Sequence, residues 1–198
     1  MSEDLSLYIH FPFCIRKCNY CDFASEDSRL NRIDSWTEAL IAEIDLRKKL
    51  LTDSKIYTIY FGGGSPNLIG TNNFGKIVQA LRQHTTFDTI KEFTVEINPG
   101  TIDENFLYSL NMNGVNRISV GTQSFDNNEL KILGRIHNSD SIDSTIQLIE
   151  KIRFPHISLD LIFGIPGQNM RTWGTTLAKA INSKIDHNSL AIAGGINI

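Results

Sequence analysis

The sequence is short of cysteine, of net charge and of long apolar runs, and each shortage removes a class of protein. Three of its 198 residues are cysteine, and all three lie between positions 14 and 21. An odd number of thiols packed so tightly is a poor disulfide framework for a secreted domain. Adjacent thiols in a reducing compartment are better read as metal ligands. Lys and Arg number 19 against 22 Asp and Glu, a net charge of -3, which gives no electrostatic case for a nucleic-acid partner. No apolar run is long enough for a bilayer-crossing helix, so no integral membrane segment is expected. The opening residues, MSEDLSLYIHF, are acidic and lack the basic-then-apolar order of a secretory signal. These features together predict a cytoplasmic protein. What remains is ordinary: 41% hydrophobic and 21% charged residues, enough apolar material for one sizeable core.

Strand and helix patterns alternate along the chain. SLYIH (6–10), YTIYF (57–61), EFTVEI (92–97), RISVG (117–121) and HISLDLIF (156–163) read as strands, and NSLAIAGGINI (188–198) could begin a sixth. Trp36, Leu40, Ile44 and Leu51 share a face at helical spacing, predicting one helix over 35–51 with Ser35 and Glu38 as a capping box. Phe74, Ile77, Val78 and Leu81 make another stripe. Thr101 with Glu104 is a second candidate capping box, for a helix expected to stop at Gly114. A short helix at 129–133 precedes a longer one carrying Ile142, Ile146, Ile149 and Ile152. Trp173, Leu177, Ala180 and Ile181 mark the last. Trp36 and Trp173 fit these stripes as core residues. This order predicts an α/β fold of parallel βα units, barrel or open sheet. The cysteines, Gly62-Gly63-Gly64, Glu96, Gln123 and Asp160 fall at or just after strand ends, which share one face in a βα barrel.

The cysteine segment is FPFCIRKCNYCDF (11–23), with three residues between Cys14 and Cys18 and two between Cys18 and Cys21. Thiolates are soft ligands suited to iron–sulfur clusters or zinc. Three of them can hold three irons of a cubane and leave the fourth iron open. A structural zinc wants four protein ligands. His10 is the one nearby candidate, and no second Cys/His cluster exists. On their own, three cysteines leave iron–sulfur, zinc and plain reduced thiols all open. Among the polar residues at strand ends, Asp160 interrupts an apolar strand, and a buried charge needs a partner. Arg135 could pair with a surface carboxylate, Gln123 could satisfy turn backbone, and His137 could be an ordinary loop histidine.

CIRKCNYC matches the CxxxCxxC signature of the radical S-adenosylmethionine superfamily. YIHFPFC (8–14), YFGGGSP (60–66), EINPG (96–100), GVNRISVGTQSFD (114–126), LGRIH (133–137) and DLIFGIPGQ (160–168) resemble, in order, the oxygen-independent coproporphyrinogen III oxidase family. The oxidases carry a further cysteine two positions after the third. Here that position is Phe23, and CNYCDF is similar to the family's haem chaperone branch. The resemblance implies a partial (βα) barrel of the radical S-adenosylmethionine type, incomplete at the C-terminus. It implies a 4Fe-4S cluster on Cys14, Cys18 and Cys21. It also implies S-adenosyl-L-methionine contacted by Tyr8, Tyr20, Gly64, Ser65, Pro66, Glu96, Gln123, Arg135 and Asp160. Arg can grip a carboxylate through two parallel hydrogen bonds, and the other polar groups can accept from hydroxyls or an amino group.

For function, the resemblance implies haem binding and transfer to an accepting protein. The alternative is oxidation of a porphyrinogen in porphyrin biosynthesis, with one electron from a donor cleaving the cofactor to methionine and a 5′-deoxyadenosyl radical. No motif specifies the acceptor or the donor. Members of the family continue well past this length, and the resemblance fades after His187-Asn188-Ser189-Leu190. A truncated chain is therefore expected, with a core of about five βα units over 1–187 and a divergent end over 188–198. A non-functional truncated product is the third reading.

Overall fold

The computed structural model describes residues 4–183, 185 and 187–192. Among them, six strands form one parallel sheet in chain order, joined by helical crossovers. The strands are β1 (Asp4–Phe11), β2 (Lys55–Gly63), β3 (Glu92–Ile97), β4 (Arg117–Gln123), β5 (His156–Phe163) and β6 (His187–Ile192). The helices are α1 (Ile33–Leu46), α2 (Lys48–Asp53), α3 (Gly70–Arg82), α4 (Glu104–Met112), α5 (Asn127–Ile132), α6 (Ser139–Ile152) and α7 (Met170–Asn182). The sheet is not closed: β1 and β6 are its edges, the arrangement of a partial barrel. The expected sixth strand is present as β6, parallel to β5, and is exposed along its length. Residues 193–198 of the expected divergent end lie outside the described residues.

Alternation along the strands gives the sheet two different faces. Ile59, Phe61, Phe93, Val95, Ile118, Val120, Ile157 and Leu159 lie on one face and join the stripes of α3, α4 and α6 in a single core. Helices α1, α3, α4 and α6 pack side by side over it. The other face carries Tyr60, Thr94, Glu96, Arg117, Ser119, Ser158 and Asp160, which the register brings into rows across β2 to β5. The chemistry therefore sits on the face turned away from the helices.

Phe74 is the centre of the apolar layer. It is fully buried, with its ring 5.7 Å from Phe61, 6.0 Å from Phe93 and 5.9 Å from Phe106. Trp36 packs edge-on against Phe11 and lies 6.4 Å from Phe61, so its helical stripe does face the core.

Helix ends differ from the sequence reading in three places. The expected helix over 35–51 breaks at Arg47 (φ −93°, ψ 6°), so that α2 can bury Leu51 before the chain re-enters the sheet at Lys55. Ser35 does not cap α1, which starts earlier; its hydroxyl donates to the Arg32 carbonyl instead. Asp103 caps α4 by accepting from Phe106 N at 2.7 Å, a carboxylate at a helix N-terminus being favoured by the dipole. Thr101 is left to donate to the Asn98 carbonyl at 2.9 Å. A capping box that the sequence reading did not identify, Asn169 with Thr172, starts α7.

Phe74→Ala should cost about 3–5 kcal/mol, the range for truncating a core aromatic. Urea unfolding followed by circular dichroism measures it, and a loss below about 1 kcal/mol would contradict the central place given to this ring.

Candidate functional site

The cysteine loop leaves the end of β1 and is tied down on three sides. It closes on itself where Glu26 N donates to Pro12 O at 2.7 Å and Cys14 N donates to Glu26 O at 2.9 Å. It is tied to the β2 loop where Gly64 N donates to Phe11 O at 2.6 Å and Ser65 N donates to Phe13 O at 2.8 Å. It is tied to the end of α5 where Asn19 donates to Leu133 O through its backbone and to Ile132 O through its side chain. His10 is a fourth strut. Its Nε2 lies 2.8 Å from the Ala24 carbonyl, which can only accept, so Nε2 carries the proton while Nδ1 faces the Tyr8 hydroxyl. Both ring nitrogens are thus engaged within the protein.

Gly64 shows how close the approach is. A Cβ there would stand 2.5 Å from Phe13 O and 3.0 Å from Cys14 Sγ. Any side chain would push the first cysteine out of place.

The loop roofs a cleft of about 330 Å³ at the C-terminal ends of the strands. Cys14, Cys18, Cys21, Tyr20, Gly64, Ser65, Glu96, Gln123, Arg135 and Asp160 all line it, so residues spread over nearly the whole chain converge. Tyr8 and Pro66 do not. Tyr8 is 60% exposed, with its ring 6.0 Å from that of Tyr60, and Pro66 is buried at the start of a 3-10 turn. Asp160 lies in the middle of β5 and reaches the cleft from the polar face. Tyr60 and Asn98 line the cleft as well and were missed as site residues. Their signal was present in the alternation of β2 and in the Asn-Pro-Gly turn, which read only as a chain reversal.

The cleft's titratable groups are partly desolvated. Burial pushes the Glu96 carboxyl up, opposed by a hydrogen bond from Tyr60 Oη at 2.6 Å and one from Gly63 N at 3.0 Å. Burial also raises Tyr60, and the neighbouring Glu96 charge raises it further. Asp160 is raised by burial, and the Ser119 hydroxyl lies within 3.1 and 2.9 Å of its two oxygens. The partner expected for this buried charge is thus a hydroxyl. Burial raises the Cys14 thiol, with the Ser25 and Ser65 hydroxyls pulling the other way, and drives the Tyr20 phenol up to about 12.

A cubane iron–sulfur cluster fits this donor set. Among the described residues no three His, Cys, Asp or Glu side chains converge tightly enough to hold one metal ion. Three thiolates match three irons of a cubane, whereas a structural zinc needs four protein ligands on one ion. The three thiols still share one loop at the mouth of one cleft, opposite the polar wall.

Comparison with known proteins converges on the same chemistry. The model of the radical SAM superfamily matches residues 8–180. The heme chaperone HemW of Lactococcus lactis is 35% identical over 185 residues, covering 93% of this chain and 48% of the relative. The heme chaperone HemW of Escherichia coli is 33% identical, covering 93% and 49%. The chain thus spans about half the length of these curated relatives. Among solved structures, the coproporphyrinogen III oxidase (HemN) of Escherichia coli superposes with a TM-score of 0.89 at 26% identity, over 98% of this chain and 45% of that one.

His137 beside the cleft gives a pH test. It is buried, its Nε2 lies 3.3 Å from Thr122 O, and burial, followed by the Arg135 charge, lowers its pKa to about 4. The native state therefore prefers neutral imidazole. Its contribution to stability is complete above the unfolded value of about 6.5 and is lost as pH falls towards 4, to a total of roughly 3 kcal/mol. Urea midpoints of the wild type and His137→Gln between pH 7 and 4 check this. The wild type should lose stability more steeply on acidification, and parallel curves would contradict it.

Proposed function

The chain belongs to the radical SAM superfamily, and we propose that it is a haem-chaperone-like member that binds a 4Fe-4S cluster and S-adenosylmethionine and hands haem to an accepting protein. The observation that carries this reading is the convergence of three thiols and a polar wall on one cleft at the strand ends. Cys14, Cys18 and Cys21 would hold the cluster and leave one iron open. When bound, the pair supplies one-electron chemistry that side chains lack. Backbone at Gly64 and Ser65 gives the cofactor a close approach. Glu96, Gln123 and Asp160 offer acceptors for its amino group and hydroxyls. Tyr20, partly buried against Arg135, closes one side of the cleft against water.

Phe23 separates the two branches of function. It is 58% exposed and lines the cleft at the position where the resembling oxidases carry a cysteine. An apolar ring there suits a planar apolar ligand and adds no thiol. Similarity to the two heme chaperones supports the same choice. The structural likeness to a coproporphyrinogen III oxidase favours the second reading, oxidative decarboxylation of a porphyrinogen.

Anaerobic reconstitution with iron and sulfide separates them. The wild type should take up a cluster, and Cys14→Ala, Cys18→Ala and Cys21→Ala should each lose most of the iron. Gly64→Ala should load several-fold less, because its new methyl meets Cys14. Haem binding by absorbance titration without porphyrinogen turnover supports the chaperone. Turnover of porphyrinogen would favour the oxidase, and a wild type that takes up no iron would remove the cluster itself.

A further inference from the structure

Arg135 leaves the end of α5 and points into the cleft, where its guanidinium is already engaged. Nη1 lies 3.5 Å from Cys18 Sγ and 3.4 Å from the Tyr20 hydroxyl. Nη2 donates to the Gly121 carbonyl at 2.9 Å and to Asn98 Oδ1. The two terminal nitrogens carry four N–H bonds and face four protein acceptors. Only Nε is without a protein partner among the described residues. A two-point grip on a carboxylate needs two adjacent N–H bonds, so it would require one of these contacts to break.

The second half of the arrangement runs through Asn98. Its carbonyl oxygen accepts from Arg135, and its Nδ2 donates to Ser65 Oγ at 2.9 Å. Asn98 N donates to Asn67 Oδ1 at 3.3 Å, and Asn67 Nδ2 in turn donates to Thr101 O and Oγ1 at 2.9 Å. The Ser65 hydroxyl acts on the Cys14 thiol against the effect of burial, and both residues line the cleft. Gly121 leaves room for the crossing, since a Cβ there would lie 2.9 Å from Asn98 Oδ1 and 3.3 Å from Arg135 Nη2. One bracket therefore joins the Cys18 sulfur, through Arg135 and Asn98, to Ser65 on the Cys14 side of the cleft.

We propose that Arg135, held by Asn98, is a positioning residue that donates to the Cys18 thiolate and sets the reduction potential of the cluster, instead of clasping the cofactor's carboxylate. The proposal rests on the cluster assignment made above. A cationic donor on a ligand sulfur stabilises the more negative, reduced cluster and raises its potential.

The test uses the full chain, reconstituted anaerobically, as wild type, Arg135→Gln, Arg135→Lys and Asn98→Ala. Iron and sulfide content, potentiometric titration followed by electron paramagnetic resonance, and equilibrium dialysis of S-adenosylmethionine are measured for each. Arg135→Gln should load a cluster whose reduced-to-oxidised ratio at fixed potential is lower by about tenfold, equivalent to about 59 mV for one electron. Asn98→Ala should move the potential the same way by less, and Arg135→Lys should fall between wild type and Arg135→Gln. Affinity for S-adenosylmethionine should change little in all three. An unchanged potential with affinity lost in Arg135→Gln would overturn the proposal and make Arg135 the carboxylate clasp. If Arg135→Gln does not load, the lysine and alanine variants decide by the same comparison. A wild type without a cluster would fail the underlying assignment instead, and is recognised by its iron content alone.

Discussion

Two backbone hydrogen bonds, from Gly64 N to Phe11 O and from Ser65 N to Phe13 O, hold the rest of the site in place. They continue the pairing of β1 with β2 past the ends of both strands. Without them the cysteine loop would be joined to the sheet only at its root and through the His10 contact with Ala24. With them, Cys14 is carried to the edge of the polar face and buried there, and Cys18 is brought within reach of a guanidinium from the far side of β4. Such pairing demands that nothing stand between the two backbones, which is why the residue at position 64 has no side chain. A main-chain contact between loops that follow neighbouring strands is also stable in a way that a side-chain contact is not. It moves only if the sheet moves.

The sheet supplies that rigidity through a division of labour between its faces. Because side chains alternate along each strand, the register that buries Phe61, Phe93, Val95 and Val120 under the helices also lines up Tyr60, Glu96, Ser119 and Asp160 on the opposite face. A one-residue slip in β3 or β5 would turn Glu96 or Asp160 onto the buried face. The hydrophobic layer thus specifies the position of the polar wall as firmly as it specifies the fold.

This coupling explains what could be read from sequence. The five strands and the helical stripes were legible because burial of one face leaves a period, and Ile142, Ile146 and Ile149 or Phe74, Ile77 and Val78 state it plainly. The cysteines were legible from spacing. The contacts that organise the site were not, because they join residues with no periodic relation. Asn98 lies in a turn signal, Ser65 after a glycine run and Arg135 past a short helix, and only the crossing of β2, β3 and β4 brings them together. Helix starts were read poorly for a related reason. Ser35 and Asp103 each sit near a plausible first turn, and the choice between neighbouring caps is made by where the preceding loop meets the sheet. Tyr8 and Pro66 were drawn into the site by motif position, yet Tyr8 is largely exposed and Pro66 is buried, and neither lines the cleft.

The electrostatics of the cleft add a last constraint. Cys14, Glu96 and Asp160 are all pushed by burial towards their neutral forms, and Glu96 also feels the charge of Asp160. Each therefore holds its proton more tightly than in water, and each would be returned to its anion by a nearby positive centre. Iron at the Cys14 sulfur would be one such centre, and binding it would release the thiol's proton. A ligand bearing cationic groups is the other, and it would restore the carboxylates. The polar wall carries two acidic groups with hydroxyl and backbone donors, and the charges of Arg117 and Arg135 pull Asp160 back towards its anion less strongly than the Ser119 hydroxyl does, each being engaged elsewhere: Arg117 among Glu92, Thr94 and Ser158, and Arg135 towards Cys18. A cation-bearing cofactor beside a thiolate-held cluster would answer both needs together. The same burial that makes the cleft's anions costly without a partner makes the cleft selective for a partner of that charge.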